Sequence, residues 1–225
     1  LPGAPFAEIS TRIGQICASE SLFEIHITGQ GGHASMPHLG VDAITVAAEL
    51  VMALQTIVAR KLPPGAGAVV SVTEISSDGQ RNVLPGTALL KGDVRARLPQ
   101  DRDAIRKFMK QITSGLAATH NVQIDMQFET EFIETINAKD PTDSVIRVAN
   151  AQGLTNIENR PAMSFSEDFA QFSAVIPGCF FLLGNGIDGP HGQALHRSNY
   201  DFNDALLPVG ANFWAALVRD RLPKR

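Results

Sequence analysis

In "LFEIHITG", Phe23, Ile25 and Ile27 alternate with Glu24, His26 and Thr28. A period of two predicts a half-buried strand. "VDAITVAAELVMALQTIVAR", ending at Arg60, predicts a helix that is apolar nearly all round and so needs cover on two faces. "KLPPGAG" predicts a turn. "AVVSVTEI" predicts a second strand and "TALLKGDVRARL" a third. In the third, Leu90, Val94, Ala96 and Leu98 point inward, Lys91, Asp93, Arg95 and Arg97 point outward, and Pro99 ends the run. "DRDAIRKFMKQITSGLAATH" places Ile105, Phe108, Met109, Ile112 and Leu116 at helical spacing. "NVQIDMQFE" sets Val122, Ile124, Met126 and Phe128 on one face of a fourth strand. The order βαββαβ predicts a ferredoxin-like unit. One face of its sheet lies under two helices; the other is open and should carry His26, Arg95 and Arg97.

The texture changes after residue 133. "DPTDSVIRVANAQG" predicts a helix ending at Gly153. "SFSEDFAQFSAV" predicts a short helix capped by Ser166, with Glu167 and Asp168 in its first turn, where the helix dipole favours them. "GCFFLLGNG" is a continuous apolar run, which predicts a strand buried on both sides. A loop then leads into an amphipathic helix with Phe213, Trp214, Leu217 and Leu222. One strand and a few helices do not complete a sheet, so residues 1–20 and 133–225 are expected to be parts of a second domain around a lid at 21–132.

Composition narrows the function classes. With 44% hydrophobic and 19% charged residues the chain is globular in composition, and its net charge of −4 and lack of a Lys/Arg run argue against nucleic acid. Asp42, Glu49 and Gln55 interrupt the longest apolar run, which argues against a membrane partner. Two cysteines, Cys17 and Cys179, with no CxxC, fit a reducing compartment and a cytoplasmic location. Leu1 opens "LPGAPFAEIS", which reads as the middle of a loop.

The chemistry-bearing residues lie in loops. "GQGGHASMPHLGVDAI" sets His33 and His38 among glycines and a proline, between a strand and a helix. Gly31 and Gly32 permit positive φ and close approach of the backbone to a ligand. The segment is either a turn with solvated histidines or a site; its composition forbids a shared helix face, so a two-histidine zinc site is disfavoured. Asn82 in "RNVLPG" is either a turn former or a ligand group. Arg95 in "KGDVRA" is either a solvated charge or a fork for a carboxylate. His196, in "LHRSNYDFND", follows the apolar run, where ligands of open α/β sheets gather. As a metal ligand it needs partners, and neither His191 nor Cys179 completes a set. Glu167 and Asp168 read as helix N-terminal charge rather than as catalytic acids.

Taken in order, "GQGGHASMPHLGVDAI", "LQTIVAR", "RNVLPG", "GDVRA", "SEDFAQF", "IPGCFFLLGNG" and "LHRSNYDFND" resemble the zinc-dependent aminoacylase/carboxypeptidase family. The resemblance is to its amidohydrolase branch, which includes hippurate hydrolase and hydrolases of indole-acetyl-amino-acid conjugates. It implies an α/β catalytic domain holding two divalent metal ions, zinc or manganese. Inserted in it is a ferredoxin-like lid that forms the homodimer. The implied substrate is an N-acyl amino acid, cleaved at its amide. On this chain the resemblance assigns His33 to the lid histidine that reaches the partner's site and steadies the oxyanion, Asn82 and Arg95 to substrate binding, and His196 to the last metal ligand. It gives His38 no role. The remaining ligands and the catalytic Glu are expected before Leu1, so the 225 residues alone are expected to be inactive. Two other readings stay open: a stand-alone dimerisation or small-molecule-binding module, and a dipeptidase of the same family.

Overall fold

The alternation around Phe23 becomes β1 (Ser19–Thr28), an interior strand of a four-stranded sheet in the computed structural model, which describes residues 1–222. The chain divides into two compact units. The first holds Cys17–Glu134 with Ser164–Ser166; the second holds Leu1–Ile16, Thr135–Met163 and the chain from Glu167 onward.

In the first unit β1 is followed by α1 (Ala43–Thr56), β2 (Ala68–Ser77), β3 (Thr87–Ala96), α2 (Pro99–His120) and β4 (Gln123–Phe132). The strands stand in the order β2-β3-β1-β4, every neighbour antiparallel. That is the ferredoxin-like arrangement, and the helices cover one face. Phe23, Ile25 and Ile27 of β1 and Leu90 and Val94 of β3 meet Val46, Leu50 and Leu54 of α1 and Ile105 and Met109 of α2. Each such aliphatic side chain contributes about 1.5–3 kcal/mol on burial. Gly92 of β3 shows how tight the fit is: a Cβ there would lie 2.1 Å from the Ser71 carbonyl oxygen and 2.3 Å from the Phe23 ring.

The Asp42 carboxylate caps α1 by accepting the Ile44 N–H at 2.9 Å. A π turn over Ile57–Lys61 extends the helix. Over Ala43–Lys61 it has the length and hydropathy to cross a membrane, but Val46, Leu50, Leu54 and Ile57 are fully buried in the core. The second apolar face required by the sequence carries Ile44 and Met52, both exposed. Pro99 does not end β3, which stops at Ala96, but opens α2, where its missing N–H costs nothing. Leu98, expected inward, is the residue before that helix and is exposed, because the strand stops at Ala96.

The open sheet face is a ladder of opposite charges. Glu20 stands across from Arg95 and Glu24 across from Lys91, the latter pair 3.0 Å apart. His26 shares this face, with Nε2 at 3.6 Å from Glu24.

In the second unit α3 (Lys139–Ala151) and α5 (Leu206–Arg221) pack together, and α4 (Phe169–Ser173) is a single short turn of helix. Three two-residue strands form a sheet: Ile9–Ser10 lies between Asn156–Ile157 and Leu182–Leu183. The apolar run "GCFFLLGNG" is therefore not the long buried strand expected. Only Leu182–Leu183 pairs, and Phe180 and Phe181 are half-buried. Phe181 instead packs edge-to-face on Phe213 and at a tilt on Trp214 of α5, with centroids at 5.2 and 5.3 Å.

Candidate functional site

The loop after β1 closes on the loop before β3. Gly32–His33 pairs antiparallel with Val83–Leu84, so His33 stands opposite Val83. The Ala34 N–H donates to the Asn82 carbonyl at 3.1 Å. Asn82 and Arg81 form the tip of a tight hairpin in which Gln80 and Val83 exchange both backbone bonds. Two residues 49 positions apart in sequence, His33 and Asn82, are thereby set side by side on one exposed rim.

The glycines act through the missing Cβ, not through backbone freedom. Of the two uses of glycine open at Gly31 and Gly32, positive φ is taken by neither. At Gly31 a Cβ would lie 2.9 Å from the Leu84 carbonyl oxygen and 3.1 Å from the Gly86 nitrogen; at Gly32 it would meet nothing within 4 Å. Gly31→Ala therefore prises the two loops apart and costs about 1–3 kcal/mol, while Gly32→Ala is close to neutral. Thermal denaturation of the two variants distinguishes them, and equal stabilities would show that this close approach does not hold the rim together.

The His33 ring is exposed, and its Nδ1 is engaged by Ser35, by the backbone N–H at 3.1 Å and by Oγ at 2.9 Å. Nε2 has no partner among the described residues. The Asn82 amide is likewise exposed and without a partner among the described residues. His38 sits in an exposed helical turn, Pro37–Leu39, two residues beyond the Ser35 contact.

Arg95 is on the open sheet face, as the alternation requires, but its fork is engaged. Nε donates to Asp93 at 2.8 Å, one terminal nitrogen donates to Glu20 at 2.5 Å and the other to the Ser166 hydroxyl at 3.2 Å. The Ser166 hydroxyl in turn donates to the second Glu20 oxygen at 2.8 Å. Two carboxylates against one guanidinium leave this cluster net negative, so it anchors the Ser164–Ser166 segment rather than standing open for an anion. Ser166 consequently does not cap the helix after it. Asp168 takes the N-cap position of α4 and makes no side-chain capping bond. Burial and the neighbouring Asp168 raise the Glu167 carboxyl above its ordinary range.

In the second unit His196 lies at the crest of an exposed loop in the left-handed region, at φ 66°. The loop hangs on Asn185, a residue sequence reasoning passed over inside "LLGNG". The Asn185 side chain is buried and donates to the carbonyls of His191 and Asp201 at 2.8 and 3.1 Å, while Oδ1 accepts the Asn203 N–H at 2.9 Å. His191 Nδ1 lies 3.1 Å from the Asp201 carbonyl oxygen. Burial pushes the Cys179 thiol up despite its contact with the Thr11 hydroxyl, which disfavours the thiolate a metal would need. Among the described residues no group of three or more His, Cys, Asp or Glu side chains is placed to hold a metal ion. His196 alone does not fit a two-metal centre.

Residues 21–121 match the peptidase dimerisation domain. An N-acetyldiaminopimelate deacetylase from Leuconostoc mesenteroides is 36% identical over 94% of this chain and 54% of its own length. Thermostable carboxypeptidase 1 of Saccharolobus solfataricus is 29% identical over 95% of this chain and 54% of its own length. Among solved structures, an aminohydrolase from methicillin-resistant Staphylococcus aureus superposes on 100% of this chain and 58% of its own, with TM-score 0.89 and 25% identity. A dinuclear metal-binding peptidase of the M20 family from Bacillus subtilis superposes on 96% of this chain and 54% of its own, with TM-score 0.77 at 23% identity, a likeness of fold. The chain spans about half the length of these relatives. With a deacetylase relative aligned along nearly all of its residues, the chain carries at residues 21–121 the dimerisation domain of the M20 peptidases.

Proposed function

We propose that this chain supplies the lid and the C-terminal portion of a metal-dependent amidohydrolase that cleaves N-acyl amino acids as a homodimer. The observation that carries the reading is the rim built by His33 and Asn82, where two loops are fastened together so that an imidazole edge and a carboxamide face outward without partners among the described residues. Both can donate a hydrogen bond to an amide carbonyl whose oxygen becomes negative as the bond is attacked. The relative named for removing an acetyl group from an amino acid supports the substrate class.

In this reading His196 would be one ligand of a centre of metal ions, zinc or manganese, which would activate the attacking water; among the described residues no further ligand set gathers beside it. His33 reaches the site of the partner protomer. Arg95 takes a substrate carboxylate only by exchanging it for Glu20.

The dimer surface follows from an asymmetry between the two sheet edges. Edge strand β4 carries Asp125, Glu129 and Glu131, charges that deter strand pairing. Edge strand β2 has Glu74 alone, exposes Val69 and Ile75, and lies beside α1 with its uncovered Ile44 and Met52. Two such lids joined through β2 and α1 cover this apolar surface.

The test assays release of free amino acid from an N-acyl amino acid. A protein carrying this stretch together with a metal-binding half hydrolyses it when zinc or manganese is supplied and stops when a chelator is added. The 225-residue chain alone leaves the substrate intact and scatters light as a dimer at micromolar concentration. Hydrolysis by the chain alone, or a strictly monomeric chain, overturns the arrangement.

A further inference from the structure

We propose that Ser35 is the positioning residue of His33, holding the neutral ring in its Nε2–H form so that the free edge always presents a donor. The use of that donor rests on the amidohydrolase reading; the placement of the proton rests on local geometry alone.

Two groups of Ser35 converge on one ring nitrogen, the backbone N–H and the side-chain hydroxyl. A backbone N–H can only donate. Nδ1 must therefore offer its lone pair, and the proton of the neutral ring resides on Nε2. Were the proton on Nδ1, two N–H groups would point at each other, and the Ser35 amide bond would be lost.

The turn that delivers Ser35 is itself fixed. The Met36 N–H donates to the His33 carbonyl at 2.9 Å, and the Ala34 N–H to Asn82. Backbone, ring and clamp thus span four consecutive residues and travel with the loop as one piece. A solvated imidazole without such a clamp shares its proton between both nitrogens and turns about its side-chain bond. In the wrong form it shows a lone pair to a carbonyl oxygen, which repels. The fraction of rings in the right form scales any rate that depends on the donor.

The experiment is nitrogen NMR of the full chain labelled in histidine rings and backbone amides, without substrate, above the pH at which exposed histidines are neutral. The His33 ring should hold the Nε2–H form by about tenfold or more over the alternative. A coupling across the hydrogen bond should link the Ser35 amide to Nδ1. Ser35→Ala, which keeps the amide but deletes the hydroxyl, should lower the tautomer ratio several-fold, toward that of exposed His38 in the same spectrum, and Ser35→Thr should restore it. Unchanged signals from His38 and His120 report that the fold is intact. A proton on Nδ1 in the native chain, or a ratio in Ser35→Ala equal to the native one, overturns the assignment. No turnover enters the measurement, so a failed hydrolysis assay leaves its outcome standing.

Discussion

In the complete amidohydrolase proposed for this chain, replacing His33 by alanine should lower kcat for N-acyl amino acid hydrolysis by about 10²–10³, with KM nearly unchanged. The loss corresponds to one preorganised donor, roughly 3–4 kcal/mol, acting on charge that exists only near the transition state. Stability should hardly move, since the ring is exposed and hydrogen-bonds to the neighbouring Ser35. His33→Gln, which keeps a donor of shorter reach, recovers part of the rate, and Asn82→Ala also lowers kcat, since either change leaves the rim a single donor. The reading further requires that the ring serve the partner's site. Mixed dimers decide this. A protomer with His33→Ala keeps its His196, and a protomer with His196→Ala keeps its His33. Each alone is inactive; together they restore one working site per mixed dimer if the histidine acts across the interface, and none if it acts within its own protomer. Activity of the mixture no greater than the sum of its parts would refute the exchange.

How much of this was legible follows from where the information lies. The lid is readable because Phe23, Ile25 and Ile27 of β1 and the inward positions of β3 are apolar and the helix faces are periodic, so local pattern and burial agree there. The order of elements then leaves few topologies. Side-chain partners were not readable. Alternation places Arg95 on the open face but is silent on Glu20, 75 residues away, which occupies it. Ser166 obeys the local rule for a helix cap, yet a charged pair from β1 and β3 takes its hydroxyl. Gly31 could serve by positive φ or by the absence of a Cβ, and sequence does not separate the two uses. The run "GCFFLLGNG" carries the composition of a buried strand, but pairing depends on neighbours, and here only Leu182–Leu183 finds one. Ser35 and Asn185 act through hydrogen bonds to particular loop atoms, which leave no periodic trace.

Asn185→Leu should be the most damaging substitution in the second unit, at about 3 kcal/mol. Asparagine and leucine have nearly the same shape, so the cavity term is small and the loss is polar. Three bonds disappear at once: those to the carbonyls of His191 and Asp201 and that from the Asn203 N–H. Each is worth about 1 kcal/mol net, and a buried group left unpaired costs about 1–3 kcal/mol more. The 186–203 loop therefore undocks rather than bear that cost. Hydrogen exchange at the Asn203 amide should quicken by about 100-fold, the equivalent of roughly 3 kcal/mol. Asn185→Asp separates the two halves of the role. It keeps an acceptor for Asn203 but turns an oxygen toward two carbonyls, so it should protect that amide while still loosening His191 and Asp201. On the proposed assignment of His196 as a metal ligand, loosening the loop that carries it should also weaken metal binding in the complete enzyme without removing a ligand, and excess metal should rescue the rate. Exchange at Asn203 within twofold of the native chain in Asn185→Leu would mean that the loop is held by something else.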